Sequence, residues 1–454
     1  MMIERFIRNY LPGAPTLRKQ DAYFDTASVL RGAAEPDAWT DDVHQAMQFL
    51  SKRVEISKCI YESYQESGAK ASASRLTAEL QPLALALLFK DFRRLASDRN
   101  MACAVKRLNA ILKLLDSLGA ENVAVDPSLV SLINTEAEQF LTTFPRTDTQ
   151  LPEMIATTQM AVDIGILPIT VLFWEGPIAR AYLATLKSMG LKPEKIIHLI
   201  SKNDLVSRKP IGRFLPGNLK LAYAQSRQKN SIHFWSTTLR KTEKSLYHSI
   251  RKTVENKLCF SDRDVDEALA LGDLNGYSPD VETLMIESMA DDAFYDRLRS
   301  LPQTQILFTG GGIVPKRLLE ITALKFIHIH PGHLPEVRGA DCVLWSHLLK
   351  GRTSATCFYM APGIDDGDII LASYLPSLTP HLEVAGIDVR TLYRATYAFL
   401  DPWVRSFVLR RALVETAGFT HVAALPQNED ASVTYHFMHD RIKRAVFAQL
   451  FSEE

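Results

Sequence analysis

Across the first 150 residues the apolar positions recur three and four apart, the period of an α-helix. Val105, Leu108, Ile111, Leu112 and Leu115 form one face, and Gly119 sits where a C-terminal cap belongs. Asp126-Pro127 reads as an N-cap followed by proline at the first helical position. It opens a segment with Leu129, Leu132, Ile133, Ala137 and Phe140 on one side. The stretches 41–67 and 78–97 share the helical pattern, and no strand of convincing length is expected here. Residues 145–152, rich in Thr and Pro, read as a linker or loop.

The pattern then changes. Residues 169–174 are a short β-branched and aromatic run, followed by the turn Glu175-Gly176-Pro177. A helix is expected over 179–189, closed by Gly190, and a second strand over 195–200. Strand, turn, helix and strand in about thirty residues make a βαβ unit and imply a parallel sheet. Further strands are expected at 306–309, 326–329, 353–360 and 369–375. From Thr391 the pattern is helical again, with Leu392, Ala395, Phe399, Trp403 and Phe407 in near-helical spacing and Asp401-Pro402 able to break or restart the helix. The expected fold class is α/β. It comprises a helical N-terminal domain (1–150), a Rossmann-like domain with a parallel-rich sheet (160–385) and a helical C-terminal extension (386–454).

Composition narrows the function classes. In 454 residues, 46% hydrophobic and 23% charged is ordinary globular content. Lys plus Arg and Asp plus Glu are both 52, so the balance argues against a dedicated nucleic-acid or polybasic membrane protein. The charge is uneven, however. Between Lys202 and Lys244 ten Lys or Arg face two acids, which reads as a solvated face or a site for an anionic substrate. The five cysteines are scattered with no C-x-x-C pair, arguing against a disulfide framework or a Cys-based zinc site. No apolar run reaches the length of a membrane span. A cytoplasmic chain with no membrane partner is expected.

Chemistry concentrates in 328–368. His328, His330 and His333 lie within six residues at the end of an expected strand. Positions i and i+2 of a strand point to one side, which sets His328 and His330 toward a common cleft. The loop that follows brings Asp365, Asp366 and Asp368 around Gly367. A carboxylate beside a histidine fixes its tautomer and serves acid/base work. The spacing H-x-H-x-x-H fits no closed zinc pattern, so no metal is expected. Gly310-Gly311-Gly312 lacks the third glycine of a dinucleotide fingerprint. Cys342 reads as a small buried thiol.

The same stretch resembles the folate-dependent formyltransferase family, which includes the methionyl-tRNA, glycinamide-ribonucleotide and sugar-amine formyltransferases. That family carries N-x-H-P-S-x-L-P-x-[YF]-[RK]-G and, further on, D-x-G-x-I. Here the first reads His328-Ile329-His330-Pro331-Gly332-His333-Leu334-Pro335-Glu336-Val337-Arg338-Gly339, and the second Asp365-Asp366-Gly367-Asp368-Ile369. The turn Gly310 to Pro315 sits where the family has a Y-G-x-I-x-P-type turn, so the resemblance covers roughly 165–385. It implies 10-formyltetrahydrofolate as formyl donor and a primary amine as acceptor. By motif position His330 is the general acid/base and oxyanion donor, and Asp365 tunes it. His328 stands where the family has asparagine, as a substituted oxyanion donor. Gly311, Ile313, Met360, Gly363 and Ile364 are implied to form the folate pocket. Gly332 and His333 replace the family's serine and apolar residue.

The expected reaction is formyl transfer to the amine of a small molecule, a sugar nucleotide or a carrier-bound substrate. The helical tail argues against tRNA, because the methionyl-tRNA enzymes end in a β-barrel. Two other readings stay open: a formyl hydrolase or other acyl- or carbamoyl-type transferase on the same fold, and a non-catalytic scaffold. The N-terminal helices are candidates for self-association or for contact with a carrier protein.

Overall fold

The computed structural model describes residues 81–120, 122–144, 165–212 and 214–451, together with the backbone of two short strands, β1 (Leu17–Lys19) and β2 (Ala22–Phe24), paired antiparallel. The helix expected at 41–67 and the linker at 145–152 lie outside the described residues. The chain divides into two compact units.

The first unit takes the N-terminal segment and, from the far end of the chain, residues 435–445. Its helices are Gln81–Ser97, Met101–Ala120 and Pro127–Thr142. The third begins as its sequence demands: the Asp126 side chain accepts from Ser128 N at 2.8 Å, with Pro127 opening the helix. The core is Leu85, Leu88, Phe89, Leu108, Ile111, Leu112 and Ile133, all essentially inaccessible. Two polar groups are buried with it. Asp91 accepts from Arg94 at 2.8 Å and from Arg107 at 2.9 Å. Asn109 donates to Phe437 O at 3.1 Å and accepts from His439 N at 2.7 Å. Its amide thereby holds a segment more than three hundred residues away in sequence.

The second unit is built on a seven-stranded sheet. Its strands are β3 (Ile166–Trp174), β4 (Lys192–Ser201), β5 (Asp280–Ile286), β6 (Thr304–Phe308), β7 (Leu324–His330), β9 (Ser354–Tyr359) and β10 (Ile369–Tyr374), while β8 (Arg338–Gly339) lies outside it. The order is β10-β9-β7-β6-β3-β4-β5. β7, β6, β3, β4 and β5 are parallel, β9 runs against β7, and β10 runs against β9. The chain lays β4 and β5 to one side of β3, then returns to lay β6 and β7 on the other. The carboxyl ends of β3 and β6 therefore flank the switch point, where open α/β sheets bind ligands.

β3 is buried on both faces over Ile169, Val171, Leu172 and Phe173, as a central parallel strand must be. Helix Pro177–Ser188 follows it and ends at Gly190 (φ +73°), whose left-handed backbone lets Leu191 N return to Leu186 O at 2.9 Å. One core cluster joins Leu172, Ile197, Ile306 and Phe326 to Phe294, Leu298 and Leu318. Helix Asp401–Glu415 packs against β9 and helix Pro177–Ser188. Residues 389–415, read as part of an extension, thus belong to the same compact unit as the sheet. A π-helical turn, Thr396–Leu400, precedes Asp401-Pro402, where the helix restarts.

Asn109→Leu leaves the His439 N–H and the Phe437 carbonyl without their partner, at a cost of about 1–3 kcal/mol for each buried group. Amide hydrogen exchange at His439 is then expected to accelerate strongly. Exchange as slow as in the unaltered chain would show that Asn109 does not hold this segment.

Candidate active site

β7 ends in Phe326-Ile327-His328-Ile329-His330, between β6 and β9. His330 is buried at 2% exposure. Its Nδ1 lies 3.3 Å from Asp365 Oδ1, and its Nε2 lies 2.9 Å from the Val337 carbonyl. A carbonyl only accepts, so Nε2 carries a proton toward Val337 and Nδ1 is the atom turned to the carboxylate. The structure therefore brings the two motifs together in one pair.

Gly332 explains one departure from the family pattern. A Cβ there would collide with the Val337 carbonyl and come within 2.7 Å of His330 Nε2. The position is glycine because the His330 ring and the returning backbone fill the space that a side chain needs.

Asp365 is held from several sides. Its Oδ2 accepts from Gly339 N at 2.8 Å. Its own carbonyl, and that of Gly367, accept from Gln427 Nε2 at 3.1 and 2.7 Å. Gln427 Oε1 in turn accepts from Arg338 at 2.7 Å. Asp365 takes a left-handed backbone (φ +49°), and Gly367 (φ +121°) approaches Tyr359 O so closely that no side chain fits. Burial pushes the Asp365 carboxyl up, but His330 beside it and the Gly339 N–H outweigh burial and hold it down to about 2. Asp365 is ionised at neutral pH.

His328 lies in a different setting. Its ring sits between Phe308 and Phe358, with centroids 5.8 and 6.0 Å away, and its Nδ1 is 3.3 Å from Phe308 O. Burial first, and then the Arg405 guanidinium, press its pKa down to about 3. The ring is uncharged at neutral pH, so a cationic oxyanion binder at this position is ruled out. Arg405 is buried against Asp401, with both carboxylate oxygens 3.0 Å from its Nε, and its Nη1 donates to Ile329 O at 2.8 Å. That bond seizes the backbone between the two histidines.

The remaining sequence-derived positions lie around this strand. Gly311 and Ile313 follow β6, and Met360, Gly363 and Ile364 lie in the loop joining β9 to β10. The two loops thus flank the histidine strand. Ile313 is 58% and Ile364 46% exposed, apolar surface without protein cover. Met360 is partly buried against the sheet core. His333 stacks on Tyr374 at 4.4 Å rather than joining the pair. Cys342 is fully buried, and burial raises its thiol pKa well above the usual value, which leaves no nucleophile there. Among the described residues no group of three or more His, Cys, Asp or Glu converges as a metal site.

The first β–α turn carries a second buried cluster. Glu175 accepts two bonds from Arg180, at 2.8 and 2.6 Å, and lies 2.9 Å from His233 Nε2. Burial opposes ionisation of Glu175, but Arg180 and His233 prevail and hold its pKa down to about 2. The Glu175 carboxylate is taken up by Arg180 and His233, and the Gly176-Pro177 turn beside it lacks one N–H for cradling a phosphate. Sequence reasoning missed Arg405, Gln427 and Arg180. Arg405 had a signal: with Asp401 it forms an i,i+4 charge pair in the first turns of the helix, among Trp403, Val404, Phe407 and Val408.

No family model matches the chain. Curated relatives do. Methionyl-tRNA formyltransferase of Clostridioides difficile is 39% identical over 84 residues, 18% of this chain and 27% of the relative. That of Syntrophus aciditrophicus is 35% identical over 99 residues, 21% and 31% of the two chains. That of Koribacter versatilis is 26% identical over 156 residues, 32% and 47%. In each, the match spans less than half of the relative's length. Among solved structures, a sugar N-formyltransferase from Shewanella overlaps 63% of this chain and 89% of its own at 10% identity and TM-score 0.32. An N-formyltransferase from Helicobacter canadensis overlaps 62% and 80% at 12% identity and TM-score 0.33. The formyltransferase resemblance read from the two motifs is thus borne out by sequence relatives of that name.

The His328 environment has a consequence for stability. An unfolded imidazole titrates near 6.5, whereas the folded one stays neutral down to about 3. The unfolded chain therefore binds the extra proton first, and His328 lowers stability as pH falls through this window, by up to about 1.4 kcal/mol per unit. His328→Asn should flatten that decline between pH 6.5 and 5 in denaturant titrations. An unchanged slope would mean that the ring is not kept neutral.

Proposed function

We propose that the chain transfers a formyl group from 10-formyltetrahydrofolate to a primary amine. The observation that carries this reading is the buried His330–Asp365 pair, which joins the two motifs beside the sheet's switch point. The acceptor amine attacks the formyl carbon, a C–N bond forms, the bond to N10 of the folate breaks, and one amine proton passes to N10. The donor supplies an activated formyl group. The exposed Ile313 and Ile364, on the loops that flank the histidine strand, offer apolar cover for a flat heterocycle. Gly311, Met360 and Gly363 complete that wall.

In this reading His330 moves the proton and, once its Nε2–H leaves the Val337 carbonyl, donates to the developing oxyanion, while Asp365, ionised and fixed by Gly339 N and Gln427, steadies the charge that builds on the ring. His328 is the substituted oxyanion donor. Being neutral, it donates through one N–H only. Its Nδ1 faces the Phe308 carbonyl at 3.3 Å, which only accepts, so donation to the oxyanion from Nε2 requires that this long bond be given up for the other tautomer. The acceptor is a small molecule, a sugar nucleotide or a carrier-bound amine, and the N-terminal helical unit is the place for self-association or carrier contact.

Calorimetric titration with a stable 10-formyltetrahydrofolate analogue tests the donor. One saturable site per chain is expected, and no binding at high concentration would remove the folate from the reading. With an acceptor in hand, His330→Ala and Asp365→Ala should each lower kcat by about 100–1000-fold. His328→Asn should keep or raise activity and leave the shape of the pH profile between 5 and 8 unchanged. A large loss would give His328 a chemical role of its own.

A further inference from the structure

Seven of the eleven exposed large hydrophobic residues among the described ones fall between 206 and 235: Val206, Phe214, Leu215, Leu219, Tyr223, Phe234 and Trp235. The first five belong to the segment after β4 and the start of helix Gly217–Ile232. Val206 is 79%, Phe214 94% and Leu219 61% exposed.

This is a built surface. Asp204 accepts from Val206 N at 3.1 Å, from Ser207 N at 2.8 Å and from Arg227 at 2.8 Å, which fixes the turn bearing Val206. Ile211 is buried against Ile200 and Ala224, pinning the loop to its helix. On that helix Leu219, Tyr223 and Arg227 follow at i, i+4 and i+8, one outward strip. Arg208, Lys209 and Lys220 accompany these apolar side chains, within a stretch holding ten basic residues and two acids. Such a composition on a chain of zero net charge is a local device.

We propose that residues 206–227 dock the protein on an anionic phospholipid surface, with Val206, Phe214, Leu215 and Leu219 entering the interface and Arg208, Lys209 and Lys220 meeting lipid phosphates. Aliphatic side chains decide between anionic partners. A nucleic acid takes the cations but leaves Val206 and Leu219 against charge and water, whereas a bilayer takes both. A second copy of the same face would set cation against cation. The expectation of no membrane partner rested on the zero net charge of the whole chain and on the lack of a spanning run, and surface docking by a local basic and apolar patch needs neither a net charge nor a span: among the described residues no helix is long and apolar enough to cross a bilayer. The loop follows the carboxyl end of β4, three strands from β7 in the sheet, about 14 Å at the usual strand spacing. The docking surface and the histidine pair therefore share one edge of the sheet.

Co-sedimentation of the full chain with vesicles tests this. Binding to phosphatidylcholine–phosphatidylglycerol vesicles, little binding to phosphatidylcholine alone, and loss at high salt are expected. Phe214→Asp with Leu219→Asp should cut partitioning at least ten-fold. Arg208→Ala and Lys209→Ala should each weaken it about five-fold. All four positions are solvent-facing, so the thermal transition should stay in place. No binding to anionic vesicles, or binding indifferent to these substitutions and to salt, would overturn the proposal. So would tight binding of RNA or of an acidic protein through this face with vesicles ignored.

Discussion

One largely buried cation organises the sheet unit around the histidine strand. Arg405 leaves helix Asp401–Glu415, pairs through Nε with the inaccessible Asp401, and donates from Nη1 to the Ile329 carbonyl. Removing two charges from water is costly, and the pair is tolerable only because the guanidinium and carboxylate meet at close range. A hydrophobic pair would fill the same space, but it would not grip the strand between two histidines. The helix, the strand and the proton-handling side chains are set relative to one another by that bond.

From it follow opposite environments two residues apart. His330 faces an ionised carboxylate and a backbone carbonyl. His328 faces two aromatic rings and feels the field of Arg405, which favours its neutral form. Neighbouring side chains of one type thus acquire different surroundings without any difference in their own chemistry. The Asp365 loop completes the contrast. Its unusual backbone at Asp365 and Gly367 is held by Gln427, a residue sixty positions downstream.

How much of this the sequence discloses depends on the range of the interaction. Strands β3, β4, β6, β7 and β9 announce themselves as apolar runs because most of their residues are buried, and the half-covered edge strand β10 does so through Ile369, Ile370 and Leu371. β5 does not: Asp280 and Glu282 interrupt it, and their charges are explained only by Lys195 and Arg297 beside them. The stretch after residue 201 resisted reading because its helices carry weak apolar stripes and long basic faces, and the hydrophobic signal there points outward. His330 and Asp365 were legible because each holds a set place within its own short motif. Gln427 and Arg405 reach the site from distant segments through backbone carbonyls, and any local pattern is silent about such bonds.

The first compact unit is assembled from both ends of the polypeptide, since Asn109 closes on the segment at 437–439. A ribosome delivers those partners far apart in time. The N-terminal helices must wait, with their contact face incomplete, while the whole sheet unit is synthesised, and they finish only after residue 439 has emerged. Closing so long a chain adds little entropy beyond that of a shorter loop, because the penalty grows only with the logarithm of length. Its larger consequence is temporal. The helical unit is completed only after residue 439 has been translated, and a chain cut short of it leaves the Asn109 amide without its two backbone partners.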